Sequence, residues 1–266
     1  MSLVNRTVLV TGASGGIGQA IARAFAARGA QVILSARRQD VLDSLAAQLG
    51  ARAMACDLAS REDVQRLLDS VGPVDVLIAN AGLPATGHIT DLSQTQLDVM
   101  LEVNLRAPIA LARGLIPGMV ERGRGHLVFV SSLSGKVASP VSSLYNATKF
   151  GLRGFSLAIR EDLRGTGVGV SSILPGFISG AGMFADSQAQ LPLGVGTKTP
   201  DDVASACVKA VERNRAEIAV APVGLRVGAG FASVLPSVAA NVTRLTGQDK
   251  VAHQLAAGQT AKRPAG

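Results

Sequence analysis

Thr7-Val8-Leu9-Val10-Thr11-Gly12-Ala13-Ser14-Gly15-Gly16-Ile17-Gly18 opens the chain. It reads as a short β-branched strand over 7–10, a glycine-rich turn, and a helix that begins at Gly16. The glycines let the backbone come close to a pyrophosphate, while the helix N-terminus offers free N–H groups and partial positive charge. The spacing is Gly-x-x-x-Gly-x-Gly rather than the commoner Gly-x-Gly-x-x-Gly. Its position at the first strand-to-helix junction makes it a phosphate loop in this reading, with Gly12, Ser14, Gly16, Ile17 and Gly18 as the cofactor-binding residues.

Outward from this loop, strands and helices alternate. Further strands are predicted over 31–35, 52–56, 75–79, 126–131, 168–174 and 217–221. Helices are predicted over 16–28, 40–49, 62–70, 93–122, 143–164 and 200–213. Fully apolar strands such as Val76-Leu77-Ile78 belong to a parallel sheet covered on both faces. With right-handed crossovers the expected fold is α/β, a doubly wound parallel sheet of Rossmann type in a three-layer α/β/α single domain. Residues 1–222 form the dinucleotide-binding and catalytic body, and 223–266 a C-terminal helical extension. The segment 179–199, rich in Gly and Pro yet holding Met183, Phe184, Leu191, Leu193 and Val195, reads as a lid over a hydrophobic substrate.

Composition narrows the partners. The chain has 266 residues, 47% of them hydrophobic and 17% charged, which is enough to bury a core. Tryptophan is absent and aromatics make up 3%, which speaks against nucleic-acid binding by base stacking. The net charge is +7 with no run of basic residues, so a phosphate-bearing small molecule is the expected anion. Cys56 and Cys207 form no metal-type pair, and no metal site is expected. The apolar stretch near Met1 is too short for a signal peptide or a membrane span, so a cytoplasmic location is expected.

After the second strand a dinucleotide-binding domain needs a group to meet the adenosine ribose. An acid there suits the 2′-hydroxyl of NAD, and arginine suits the 2′-phosphate of NADP. This chain reads Ser35-Ala36-Arg37-Arg38, with no acid, so Arg37 and Arg38 point to NADP over NAD.

The chemistry rests on Tyr145 and Lys149, four residues apart on one predicted helix and therefore on one face. A nearby ammonium, like a positive nicotinamide ring, stabilises a phenolate and brings the phenol toward working pH as an acid/base. Ser132 stands at the end of the fifth strand, where the hydroxyl can hydrogen-bond a substrate oxygen.

Together these residues resemble the classical short-chain dehydrogenase/reductase superfamily over about residues 5–220. The matching motifs are Thr11-Gly12-x-x-x-Gly16-x-Gly18, Asp57-Leu58, Asn80-Ala81-Gly82, Asn104, Ser132, Tyr145-Asn146-Ala147-Thr148-Lys149 and Pro175-Gly176, with Ser132 the expected 13 positions before Tyr145. The resemblance implies hydride transfer between a nicotinamide cofactor and a carbonyl or secondary alcohol. Tyr145 is then the proton donor or acceptor, Lys149 the ribose ligand that lowers the phenol pKa, and Ser132 the polarising group. Asn104 would hold a water in a proton relay, Asp57-Leu58 would meet the adenine, Asn80-Ala81-Gly82 would pass beside the ribose, and Pro175-Gly176 would shape the nicotinamide pocket. The pattern departs at Ala79, the usual first Asn of Asn-Asn-Ala-Gly, and at Gly180, often Thr, where the neighbouring Ser179 is a candidate for the carboxamide. The usual Asp-Gly-Gly near the last strand is missing, so the match to bacterial acyl-carrier-protein reductases is not close.

A catalytically silent dinucleotide-binding regulator or scaffold on the same fold is the alternative, but such relatives usually lose the tyrosine or lysine. A dehydratase or epimerase of the extended branch would be longer, with another glycine spacing. The resemblance also implies a homodimer or homotetramer built on the long helices 93–122 and 143–164, with Leu152, Phe155 and Ile159 as candidate contacts. Residues 223–266 carry Arg226, Arg244, Lys250, Lys262 and Arg263 against Asp249, or +4 of the +7. Leu225, Val227, Phe231, Val234, Leu235, Val238, Val242 and Leu245 recur there at helical spacing, which predicts an amphipathic helix pair broken at Pro236. That pair would pack beside the pocket or a neighbouring subunit, or make weak peripheral contact with an anionic membrane.

Overall fold

Val8 and Val10 pack to one side of the first strand and Leu9 to the other, and the same alternation runs through Val32, Ile33 and Leu34 and through Val76, Leu77 and Ile78. Each of these strands therefore needs a helical layer on both faces. A computed structural model describes residues 1–187, 189–192, 195–235, 237 and 249–259. It holds a seven-stranded sheet in the order β3-β2-β1-β4-β5-β6-β7, parallel throughout. The strands are β1 Thr7–Thr11, β2 Gln31–Ala36, β3 Arg52–Ala55, β4 Val76–Ala79, β5 Gly125–Val130, β6 Val168–Pro175 and β7 Glu217–Val220. Helices α1 Gly16–Ala26, α2 Gln39–Leu49 and α8 Pro200–Arg213 cover one face. Helices α3 Arg61–Val71, α5 Ala107–Glu121 and α6 Ser143–Asp162 cover the other. This is the doubly wound, three-layer arrangement expected, and its order reverses between β1 and β4, which opens a crevice at their carboxyl ends.

The predicted long helix 93–122 is interrupted. Helix α4 Gln94–Leu101 begins on a capping box formed by Ser93 and Gln96 and passes into one π-helical stretch, Glu102–Arg106, before α5. The wider turn contains Asn104 and carries it out of the regular 3.6-residue register.

Leu152, Phe155 and Ile159 do not form an outer contact face. Leu152 is core, while Phe155 and Ile159 pack against the same cluster, and Phe155 meets Phe129 edge-on at 5.6 Å. A helix lying on a sheet must spend its apolar stripe on that sheet. The large apolar residues left exposed on α5 and α6 are Val120 and Phe150.

Helix α9, Val223–Val234, follows β7, and its Val223, Val227, Phe231 and Val234, with the adjoining Leu235, are exposed. Leu193, Pro236, Val238, Val242, Arg244, Leu245, Lys262 and Arg263 lie outside the described residues. The next described helix, α10 Asp249–Gly258, packs on the short helix α7 Gly182–Ser187, which lies in the segment read as a lid. Among the described residues no helix is long and apolar enough to cross a membrane.

Within β5 His126 is buried, and burial pushes its imidazole down to about 3, with the Arg160 guanidinium adding to the shift. Ser171 Oγ donates to Arg215 O at 2.6 Å, so its contact with His126 Nε2 at 2.8 Å requires the Nε2–H tautomer. The folded state thus excludes a proton that the unfolded chain takes up near 6.5. Stability is full above that pH and falls as pH drops toward 3, by about 4 kcal/mol from this group. His126→Gln should flatten that part of a melting-temperature profile. An unchanged acid slope would show that other groups govern it.

Candidate active site

The crevice is a cleft of about 1070 Å³ at the carboxyl ends of the strands. Its floor is the phosphate loop. Gly12 holds φ +66°, and a Cβ there would stand 2.8 Å from Ala81 Cα. Gly18 admits no side chain because Gly12 O lies against it, which lets α1 sit tightly on β1. Gly15 caps α1 without a side-chain hydrogen bond, and no acid stands in the first turn, so the leading N–H groups face the cleft uncontested.

Asn80, Ala81 and Gly82 continue β4 along the wall. Thr11 Oγ1 accepts from the N–H groups of Asn80 at 3.1 Å and Ala81 at 3.3 Å, and Asn80 Nδ2 donates to Thr11 O at 3.1 Å. The asparagine side chain thus ties β4 to the phosphate loop. Arg37 and Arg38 are exposed at the cleft rim, and among the described residues neither pairs with a carboxylate. Arg38 donates to Ser14 O at 3.2 Å, bracing the loop. Asp57 and Leu58 line the same end, where Asp57 Oδ1 accepts from Ala59 N at 3.0 Å in a local turn.

Ser132, Tyr145, Lys149, Pro175 and Gly176 line the other end. Helix α6 is clamped against the end of β5. Ser131 Oγ donates to Lys149 O at 3.0 Å, and Gly135 lies so close that a Cβ would stand 2.8 Å from the same oxygen. Asn146 Nδ2 donates to Ser134 O and Val137 O, both at 2.8 Å, fixing the loop that carries Ser132 beside the helix that carries Tyr145. Lys136 and Arg153 both pair with Glu217, whose carboxyl the two cations hold below its usual range against the opposing effect of burial. Ser131, Gly135 and the staple through Asn146 had no role in the sequence reading. Asn146 stood in a quoted motif, but nothing in its spacing signals a contact with the loop.

Burial pushes the Tyr145 phenol up to about 12, against a smaller lowering by its hydrogen bond with Ser132. The expected approach of the phenol to working pH is therefore not a property of these residues alone. The Lys149 amine is itself desolvated, with its pKa pushed down to about 8, donates to Val130 O at 3.2 Å, and stands 5.6 Å from the Tyr145 ring centroid. Ser132 Oγ accepts from Ser134 N at 3.0 Å and makes a long bond to Pro175 O at 3.4 Å, so its hydroxyl is easily redirected.

Asn104 is buried and does not line the cleft. Its Oδ1 accepts from Leu83 N at 2.7 Å and its Nδ2 donates to Leu83 O at 2.9 Å, so the side chain holds the wall in place. A Cβ on Gly82 would lie 3.5 Å from Asn104 Oδ1 and 3.6 Å from Lys149 Nζ, so the three converge. Ser179 does not line the cleft, since its Oγ donates to Lys198 O at 3.2 Å. Leu83, Pro84, Val99, Val103, Met183 and Phe184 supply apolar wall beyond Tyr145. Among the described residues no three His, Cys, Asp or Glu side chains come together to hold a metal.

The short chain dehydrogenase family model matches residues 6–192. Over 228 residues the chain is 39% identical to the ketoacyl reductase HetN of Nostoc, covering 82% of this chain and 79% of that protein. A metagenomic short-chain oxidoreductase in complex with NADP superposes with a TM-score of 0.71 at 32% identity, over 84% of this chain and 99% of that one. A short-chain dehydrogenase from Sphingobium yanoikuyae in complex with NADPH gives 0.75 at 26% identity, over 88% and 95%. The family match over most of the chain and these relatives agree with the glycine spacing of the phosphate loop, and the chain belongs to the classical short-chain dehydrogenase/reductase superfamily.

Proposed function

We propose that the protein transfers a hydride between NADP(H) and the carbonyl or secondary alcohol carbon of a hydrophobic substrate. The observation that carries this reading is one continuous cleft with two carboxylate-free arginines at one end and Ser132, Tyr145 and Lys149 at the other. The cleft fits a dinucleotide phosphate. Glycines leave room at its floor, the first turn of α1 lines it, and among the described residues Arg37 has no acid to compete for its fork. Gly12, Ser14, Gly16, Ile17 and Gly18 would hold the pyrophosphate, Arg37 and Arg38 the 2′-phosphate, and Asp57 and Leu58 the adenine. Asn80, Ala81, Gly82 and Lys149 would hold the riboses, and Pro175 and Gly176 the nicotinamide.

The dinucleotide, when bound, supplies the hydride for reduction and takes it up in oxidation. The protein's residues handle the rest. Ser132 turns its hydroxyl from Pro175 O to the substrate oxygen and polarises the C=O bond. As the C=O π electrons move onto that oxygen, Tyr145 Oη would give it a proton, completing the hydroxyl of the alcohol. The phenolate left behind forms beside the Lys149 ammonium, which offsets its charge, and solvent later returns the proton. In the protein alone the raised phenol pKa keeps Tyr145 protonated at neutral pH, the state a proton donor needs. Asn104 acts at one remove, by holding Leu83 and with it the wall at Gly82.

The test is NADPH oxidation by the purified protein across a panel of apolar ketones and aldehydes. Turnover supports the reading. Tight NADPH binding with no turnover of any carbonyl would favour a silent dinucleotide-binding regulator.

We further propose that α5 and α6 pair with a second copy through Phe150 and Val120, the large apolar residues exposed on these two helices. Light scattering should give a dimer or tetramer at micromolar concentration and a smaller species for Phe150→Glu. A monomeric unmodified protein would contradict this. The exposed α9 stripe, flanked by the exposed Arg226 on a chain of net charge +7, fits weak docking on an anionic bilayer. Val227→Ser with Phe231→Ser should then abolish co-sedimentation with anionic vesicles, and equal sedimentation would remove the idea.

A further inference from the structure

Gln259 is buried, 3% exposed, although it is polar and lies at the far end of the chain from the strands that build the site. Its side chain bridges two segments. Oε1 accepts from Thr86 Oγ1 at 2.9 Å, and Nε2 donates to Met183 O at 3.0 Å. Met183 belongs to the lid helix α7, and Thr86 to the loop after β4. Gln259, Met183 and Phe184 all line the cleft.

The surroundings tighten this contact. Gly258 sits against Ser187 with no space for a Cβ. Gln254 Oε1 accepts from Gln190 N at 3.1 Å just beyond the lid helix, and His253 faces His88 with ring centroids 6.2 Å apart. The loop that Thr86 occupies is the one that positions the site. Tyr145 N donates to Ala85 O at 3.1 Å, and Leu83 carries both hydrogen bonds of Asn104. On the other side the lid lies over the phosphate loop, since a Cβ on Gly16 would stand 2.5 Å from Ala181 Cβ.

We infer that Gln259 is a positioning residue for the substrate end of the cleft, a latch by which α10 holds the lid closed against the catalytic wall. This rests on the proposed carbonyl reduction. A primary amide is suited to the task because it accepts from a hydroxyl and donates to a carbonyl at once. Leucine of similar size does neither, and glutamate would lack the donor and bury a charge. Because the latch meets the lid at Met183 and not at Ala181, the residue that lies against the phosphate loop, its loss should be felt in substrate binding and not in NADPH binding.

The experiment uses the full chain with NADPH bound. Gln259→Leu removes both hydrogen bonds of the bridge, Thr86→Val removes only the one to the loop after β4, and Thr86→Ser keeps the hydroxyl. Hydrogen exchange over 181–187 is expected to rise in the first two variants and to stay at the unmodified level in Thr86→Ser, with exchange over α6 unchanged. KM for an accepted carbonyl should rise about tenfold in Gln259→Leu, the scale of one or two buried hydrogen bonds, with kcat within about threefold and NADPH affinity unaltered. The Gln259→Leu, Thr86→Val double variant should be less than the product of the singles. Unchanged exchange over 181–187 in both variants overturns the latch, and raised exchange with an unaltered KM overturns its part in substrate binding. The exchange result decides the latch even if the unmodified protein reduces no carbonyl, an outcome that would instead defeat the proposed reaction.

Discussion

Tyr145→Phe should lower turnover by at least about a hundredfold, the usual worth of a positioned general acid, while NADPH affinity changes little. The substitution deletes one hydroxyl and keeps the ring that packs beside Leu144, Ala85 and Met100. It leaves the Lys149 amine with its bond to Val130 O and the Asn146 staple intact. A companion profile gives a second reading. Because burial pushes Lys149 down to about 8, the charge that offsets the phenolate is present below that pH and lost above it. The kcat/KM for reduction should therefore decline above about pH 8 in the unmodified enzyme. Normal turnover by Tyr145→Phe would remove the tyrosine from the mechanism.

Arg37→Ala should weaken NADPH by about ten- to a hundredfold, the range of a charge-assisted hydrogen bond of about 1.5–3 kcal/mol, and leave NADH nearly unchanged. Arg37 has no carboxylate partner among the described residues, so its removal disturbs nothing else in the cleft rim. Arg38 differs, because its guanidinium also braces Ser14 O, and Arg38→Ala should weaken both nucleotides. Titration by nucleotide fluorescence separates these cases. Tighter binding of NADH than NADPH by the unmodified protein would contradict the cofactor assignment.

The fold was legible because apolar β-branched runs such as Val76-Leu77-Ile78 have one physical solution, a strand covered on both faces, and because the glycine-rich turn marks where the sheet begins. The residues around the cleft were legible for a related reason. Backbone approach at Gly12 and Gly18 and the shared helix face of Tyr145 and Lys149 are local, and local constraints leave spacings in sequence. Three features were hidden. The π-helical stretch at Glu102–Arg106 adds one residue to an apolar pattern that otherwise continues, so periodicity read through it. Leu152, Phe155 and Ile159 form a stripe that reads the same whether it faces a sheet or a partner. Gln259 meets residues 173 and 76 positions away, and nothing in the Ala/Gly-rich sequence around it announces either contact. A count of neighbouring charges also leaves out desolvation, which is the largest influence on the Tyr145 phenol in the protein alone.

The central claim is hydride transfer at a carbonyl carbon, and isotope transfer tests it directly. The purified enzyme is given NADPH deuterated at the transferring position of the nicotinamide, with a carbonyl it accepts, and the alcohol is analysed by mass spectrometry. The account predicts one deuterium on the carbinol carbon, fixed in one stereochemical sense, and almost no product from Tyr145→Phe. An alcohol without deuterium, or labelled product formed equally well by Tyr145→Phe, would contradict it.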